Sequence, residues 1–498
     1  MINLNRSAGI LLPITSLPSK YGIGTFGKEA YDFIDFLKSA KQQYWQLLPQ
    51  GPISYGDSPY STFSIYAGNP LYIDLKYFID DDILSANDCH ILDTNYEYIN
   101  YEMQFNYRYD ILHKVYINSK EKYKENIKKF TEKNNWVLDY SLFMSLKYYF
   151  NQKPWYEFPK DISNRDKRTL DKYKLLLEDE INFWIFLQFV FYEQYFNLKD
   201  YANNKGIKII GDMPIYVAED SVEAWGYKEL FILNEKNNIS LVAGVPPDDF
   251  SDEGQLWGNP VYDWEYHDKT SYQWWIDRIS WNLHLYDLVR IDHFRGFDEF
   301  WAVPSGSENA INGEWMPAKG KPMFETLTEK VEEPNIIAED LGIITDSVLD
   351  LKKKFNFPGM KVLQFAFDGN PKNPYLPKNY EENSIAYTGT HDNDTLKGWY
   401  HKLSDNSKRY VLEILNIELN IEDEDVIIEQ LIEAVLKGRE KIAIIPLQDY
   451  LCLGSQSRIN TPSTLGHNWS WRVGKESLTQ ELAEKIGAMI DSSGRVES

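Results

Sequence analysis

The sequence predicts an α/β fold, a (β/α)8 TIM barrel with helical and loop insertions around its C-terminal face. Eight short apolar runs read as fully buried strands, helical patterns separate several of them, and acidic residues stand where several runs stop. The runs are Gly9–Leu12, Trp45–Leu48, Ile207–Ile210, Leu288–Ile291, Asn335–Ala338, Val362–Phe367, Ile385–Tyr387 and Ile442–Pro446. Between them, Ala30, Phe33, Ile34 and Leu37 share one helical face, as do Val348, Leu351 and Phe355. Ile427, Leu431 and Val435 do the same in a helix that begins among the acids Glu422 to Asp425 and stops at Gly438, the polarity a helix dipole favours. Strand alternating with helix means parallel βαβ units, and about eight of them close a barrel whose working end lies at the strand C-termini.

Over 498 residues there is no repeat, low-complexity tract or Pro/Gly/Ser linker, so one continuous architecture is expected. Residues 1–67 begin the barrel and 203–498 complete it. The gap between Leu48 and Ile207 is too long for one crossover. It places a mainly helical inserted subdomain at 68–202, rich in Tyr, Phe and Lys, walling one side of the barrel mouth. A second excursion, Gly226 to Trp264, carries Pro246, Pro247, Gly254, Gly258 and Pro260 and reads as a long loop, a type of segment that is usually functional.

Composition narrows the function. Hydrophobic residues at 43% and charged residues at 26% support a sizeable core. The 15% aromatic content suits either an aromatic core, the commoner use, or a surface that stacks sugar rings. With 52 basic and 75 acidic residues the net charge is −23, which disfavours nucleic acid and anionic membrane and points to a neutral substrate. Cys89 and Cys452 lie far apart and fit no metal spacing; they read as free thiols of a reducing compartment, with one disulfide as the alternative. Ala8 to Leu12 is cut off by Pro13 and Phe183 to Tyr192 is interrupted by Gln188, both short of the ~20 residues that span a bilayer, so a cytoplasmic location is expected. No cofactor is implied and no metal site is expected, although scattered oxygen ligands leave calcium open.

The chemistry lies at the run ends. Asp212, Asp292, Glu339 with Asp340, and Asp392 each follow an apolar run or the short polar segment after it. Any one of them can cap a helix or pair with an arginine. Together, on a barrel, they converge, and several buried acids repel one another unless the cavity needs them. Paired carboxylates acting on a neutral ring point to glycosidic chemistry, in which one attacks the anomeric carbon and a protonated one serves the leaving oxygen. Arg290 and Asp292, two apart on a strand, face the same side, and a cation there suits a carboxylate that attacks as an anion; a structural Arg–Asp pair is the alternative.

These strand ends carry a resemblance. Val289-Arg290-Ile291-Asp292-His293-Phe294-Arg295-Gly296, Ala338-Glu339-Asp340-Leu341-Gly342 and Thr390-His391-Asp392-Asn393-Asp394-Thr395 are similar to the catalytic strand ends of the 4-alpha-glucanotransferases, or amylomaltases, relatives of the α-amylases. Gly9-Ile10-Leu11-Leu12-Pro13, Asp57-Ser58-Pro59-Tyr60, Gly211-Asp212-Met213-Pro214, Gly254-Gln255-Leu256-Trp257-Gly258-Asn259-Pro260 and Asn468-Trp469-Ser470-Trp471-Arg472 resemble the same family, in order, over nearly the whole chain. The resemblance implies Asp292 as nucleophile, Glu339 as general acid/base and Asp392 as transition-state stabiliser. It also implies that Tyr60, Asp212, Arg290 and His391 bind the donor sugar, that the 244–260 segment with Trp257 is a lid over the acceptor side, and that Asn468 lies at the substrate. Trp469 and Trp471 are expected in the core, and Asp340 and Asp394 as hydrogen-bonding supports. His467 stands where many relatives carry Gly, and Ser463 where some do.

The expected function is thus retaining transfer between α-1,4-glucans and malto-oligosaccharides, with glucose as an acceptor. The alternatives are an α-amylase-type hydrolase using the same three carboxylates and a non-catalytic glucan-binding protein. The latter gains nothing from clustering buried negative charge.

Overall fold

A computed structural model describes residues 6–92, 97–235, 238–247, 252–342 and 344–495. In chain order its strands are β1 (Ser7–Leu11), β2 (Tyr44–Gln46), β3 (Lys208–Pro214), β4 (Leu241–Val245), β5 (Gln255–Pro260) and β6 (Leu288–Asp292). They continue with β7 (Glu299–Pro304), β8 (Glu314–Pro317), β9 (Ile336–Ala338), β10 (Gly359–Val362), β11 (Ser384–Tyr387) and β12 (Ile442–Pro446). Eight of these form one parallel sheet in the order β10-β11-β12-β1-β2-β3-β6-β9. Its edges meet where Ala338 N–H donates to the Pro358 carbonyl at 2.9 Å, so the sheet curls into a barrel.

Alternation along each strand builds two apolar layers. Inward residues such as Leu11, Tyr44, Ile210, Leu288, Ile337 and Val362 fill the barrel. Their neighbours Ile10, Ile209, Val289, Ile336 and Ala443 pack outward under the helices. Burial on both faces is why the runs are continuously apolar instead of alternating. Gly9 lets the interior close, since a Cβ there would lie 2.5 Å from Tyr44 Cβ.

Two expectations need correction. The strand read at Val362–Phe367 lies earlier, at Gly359–Val362, and Leu363–Phe365 turns as a 3-10 helix. Lys361 hid it: its ammonium emerges over the Tyr375 ring, so a charged residue sits inside a buried strand. The 226–264 segment, read as a long loop, holds β4 and β5, which pair antiparallel and join β7 and β8 in a second sheet ordered β5-β4-β7-β8. Its glycines mark a register shift near Gly244 and left-handed positions at Gly254 (φ 67°) and Gly258 (φ 77°) within or beside the hairpin. Residues 248–251, within the segment expected as a lid, lie outside the described residues.

Between β2 and β3 the chain is mainly helical, with long helices at Tyr109–Lys133, Trp136–Tyr149 and Glu178–Asn204. The last of these is also the crossover that returns the chain to β3. Aromatic side chains cement these helices: Trp136 meets Phe130, Tyr140, Tyr192 and Trp281 at centroid distances of 5.9 to 6.3 Å. Much of the aromatic excess therefore serves packing. Among the described residues, no helix is long and apolar enough to cross a membrane.

Candidate active site

Register brings the acids together. In the β3–β6 ladder Asp212 stands opposite Arg290, and in the β6–β9 ladder Ile291 stands opposite Ala338, so Asp292 and Glu339 are the next residues on adjacent strands. Arg290 bridges two levels of the barrel. Its Nη1 lies 2.7 Å from both Asp212 oxygens, and its Nη2 lies 3.0 Å from Asp292 Oδ1. The guanidinium and Asp212 are buried, and their fork geometry fixes where Asp292 points.

Glu339 is held by backbone donors. His293 N–H reaches Oε2 at 2.6 Å and Leu341 N–H reaches Oε1 at 3.0 Å. His293 takes a left-handed φ of 53° immediately after β6, which turns its amide toward the carboxyl; such a conformation on a non-glycine residue stores strain at a working site. Burial pushes the Glu339 carboxyl up to about 7; the Arg290 charge opposes this and the Asp292 charge adds to it. Behind it, Asp340 accepts from Met360 N–H at 2.7 Å and pairs with Lys352, as a support should.

The third acid arrives on the segment after β11. Burial opposes ionisation of Asp392, but His391, Asn460 and Arg290 outweigh it and hold the carboxyl down at about 2. His391 Nε2 lies 3.2 Å from Asp392 Oδ2, and Asn460 Nδ2 donates to Oδ1 at 2.6 Å. Tyr60 donates its hydroxyl proton to Asp212 at 2.7 Å and faces His391 Nδ1 at 3.5 Å, with the two rings stacked at 5.1 Å. An imidazolium satisfies both contacts. It agrees with the upward shift of His391, where burial works against the charge and Asp392 prevails. One carboxylate secures this segment at both ends: Asp449 accepts from Thr388 Oγ1 at 2.6 Å and from Leu396 N–H at 2.7 Å.

Asp292, Glu339 and Asp392 line one cleft of about 970 Å³, together with Tyr60, His391 and Trp257. Trp257, on β5, is 37% exposed, with its ring edge-on to His293 at 4.8 Å and Nε1 donating to Gln255 Oε1 at 3.3 Å. Asp212 and Arg290 lie beneath the cleft floor. Asn468 is not brought to the cleft. Its Oδ1 accepts from Thr461 N–H at 2.9 Å and its Nδ2 donates to the Thr464 carbonyl at 3.0 Å, tying the 461–468 loop. Trp469 and Trp471 are buried, Trp469 against Tyr60 and His391. In the same loop Ser463 and His467 adopt φ of 61° and 59°, the left-handed region where glycine fits best. Sequence reasoning missed Asn460 and Asp449. Asn460 follows no apolar run, whereas Asp449 stands three residues after the run Ile442–Pro446, the same signal that marks the other acids.

A family model described as 4-alpha-glucanotransferase matches residues 12–478. The chain is 48% identical over 489 residues to the 4-alpha-glucanotransferase of Clostridium butyricum, covering 97% of this chain and 100% of that one. It is 40% identical over 503 residues to the Thermus thermophilus 4-alpha-glucanotransferase, covering 99% and 100%. Among solved structures, the amylomaltase from Streptococcus agalactiae in complex with acarbose matches with a TM-score of 0.95 at 40% identity, over 99% of this chain and 100% of that one. Matched nearly end to end in sequence and in fold, the chain belongs to the 4-alpha-glucanotransferase family.

Proposed function

We propose that this chain moves α-1,4-glucan segments from a donor to an acceptor malto-oligosaccharide by a retaining, two-step transfer. The observation that carries the reading is the division of labour in one cleft: Glu339, its proton held up to about 7 by burial, stands beside Asp292, which Arg290 aims at 3.0 Å. In the first step Asp292 attacks the anomeric carbon while Glu339 protonates the leaving glycosidic oxygen, releasing the shortened donor. Asp392, anionic and fixed by His391 and Asn460, faces the positive charge that develops on the sugar. In the second step Glu339, now a carboxylate, takes the proton from an acceptor 4-hydroxyl, and that oxygen displaces Asp292. Two inversions restore the α configuration.

Transfer, rather than hydrolysis with the same three carboxylates, is supported by the full-length relatives named 4-alpha-glucanotransferase. Trp257 on the lid hairpin is the residue we assign to covering the intermediate and stacking the acceptor. Glucose serves as the smallest acceptor. The two free cysteines fit a cytoplasmic setting. Incubation with pure maltotriose tests the reading: transfer yields free glucose and a ladder of longer oligomers, whereas glucose and maltose alone mean hydrolysis.

A further inference from the structure

The cleft extends past the three carboxylates to a wall supplied by the helical insertion. Tyr156, in the 3-10 turn Trp155–Glu157, lines it and is 51% exposed. A half-exposed aromatic on a mobile loop would carry little meaning, but this one is fixed. The neighbouring Trp155 is buried, donates Nε1–H to the Glu219 carbonyl at 2.7 Å, and gives its backbone N–H to Asp220 Oδ1 at 3.1 Å. The other Asp220 oxygen takes Lys147 Nζ at 2.5 Å in an ion pair whose side chains are 0% and 8% exposed. Parting such a pair would leave an uncompensated buried charge, so the two groups stay together. Here the pair registers the insertion against the segment that follows β3. That same segment is tied to the lid hairpin, because Asn259 Nδ2 donates to the Val217 carbonyl at 2.8 Å. Lid, post-β3 segment and insertion thus form one continuous flank. Glu219, Glu253 and Glu308 add acid to the cleft lining, which suits a neutral chain over an anionic one.

We infer that Tyr156 is the stacking platform of a distal, lid-side glucan subsite, contributed by the insertion, which favours substrates long enough to reach it. The inference rests on the transferase reading above. Sugar rings present an apolar face to an aromatic ring, and a pre-positioned platform binds without first being ordered. The test is the transfer reaction on maltotriose and on maltoheptaose with wild type, Tyr156→Ala and Tyr156→Phe. For Tyr156→Ala, KM for maltoheptaose should rise about five- to tenfold, KM for maltotriose should change by less than about twofold, and kcat should hold for both. Tyr156→Phe keeps the ring and should stay within about twofold of wild type on both. An unchanged maltoheptaose KM, an equal loss on both substrates, or a Phe variant as impaired as the Ala variant would overturn the subsite. Failure of the wild type to transfer from either substrate would instead overturn the transferase reading itself.

Discussion

Replacing Glu339 with Gln separates chemistry from packing in a way the structure quantifies. Both carboxyl oxygens accept backbone N–H groups, His293 at 2.6 Å and Leu341 at 3.0 Å. A protonated carboxyl keeps both bonds, because each oxygen has a second lone pair. A Gln amide has one accepting oxygen, and its NH2 must face the other N–H donor to donor. One backbone donor is left without a partner, at a cost of about 1–3 kcal/mol, so in a chain of 498 residues Glu339→Gln should melt roughly 1 to 3 °C lower. The lost acid/base catalysis is larger, about 10²–10⁴ in rate or roughly 3–5 kcal/mol of barrier. The kinetic effect dominates, because a chain of ordinary stability stays folded after losing about 2 kcal/mol. Glucose release from maltotriose should fall by that factor. A maltosyl fluoride, whose leaving group needs no proton, should still load the variant, and intact-protein mass spectrometry should find the glycosyl group on Asp292. Wild-type kcat/KM should decline above about pH 7 as burial ceases to hold the Glu339 proton, and the variant acting on the fluoride should lack that decline. Maltotriose turnover within about tenfold of wild type would refute the acid/base role.

Trp257→Ala should raise the ratio of hydrolysis to transfer on maltotriose. Water at ~55 M outcompetes a millimolar acceptor unless acceptor binding supplies a preference of about 10⁴, of which the stacked ring provides ~1–3 kcal/mol; an unchanged product ratio with a lower melting temperature would make Trp257 only an anchor. Asp449→Ala should cut kcat at least about tenfold by freeing both ends of the His391–Asp392 segment, while Asp449→Asn, which can still accept from Leu396 N–H and donate to Thr388 Oγ1, should retain most of it. Equal kcat in the Ala variant would disprove the clamp. Burial raises Glu223, Glu339 and Glu440 to about 7 and Asp449 to about 6. A carboxyl raised on folding holds its proton more tightly in the native state, so its contribution is complete below the ordinary carboxylate range and disappears as pH rises through 6 to 7. The contribution of these groups to the melting temperature should therefore fall between about pH 4 and 7 and level off above that, and a flat or rising curve across that window would contradict the assignment.

The barrel was legible in the sequence because parallel strands bury both faces. Ile442–Pro446 and Leu288–Ile291 stand out as apolar runs whatever surrounds them, and Asp292 and Glu339 declare themselves by ending such runs. A charged residue defeats the same signal: Lys361 displaced the expected β10 because its ammonium escapes outward over Tyr375, which only packing reveals. Gly244, Gly254 and Gly258 read as loop residues, yet the 226–264 segment contains strands, since β4 finds a partner in β7, far along the chain, and β5 pairs back onto β4. Identity of the acids was local information, and their working states were not. The proton on Glu339, the anion at Asp392 and the aim of Asp292 depend on burial, Asn460 and Arg290's fork, contacts made by residues up to 78 positions apart. Asn468 shows what a motif match leaves out: its hydrogen bonds tie the 461–468 loop, whose Pro462 and Ser463 line the cleft. Short-range pattern determines which groups exist and which strand carries them; which way each faces, and what charge it keeps, is decided by neighbours that only the closed barrel brings within bonding distance.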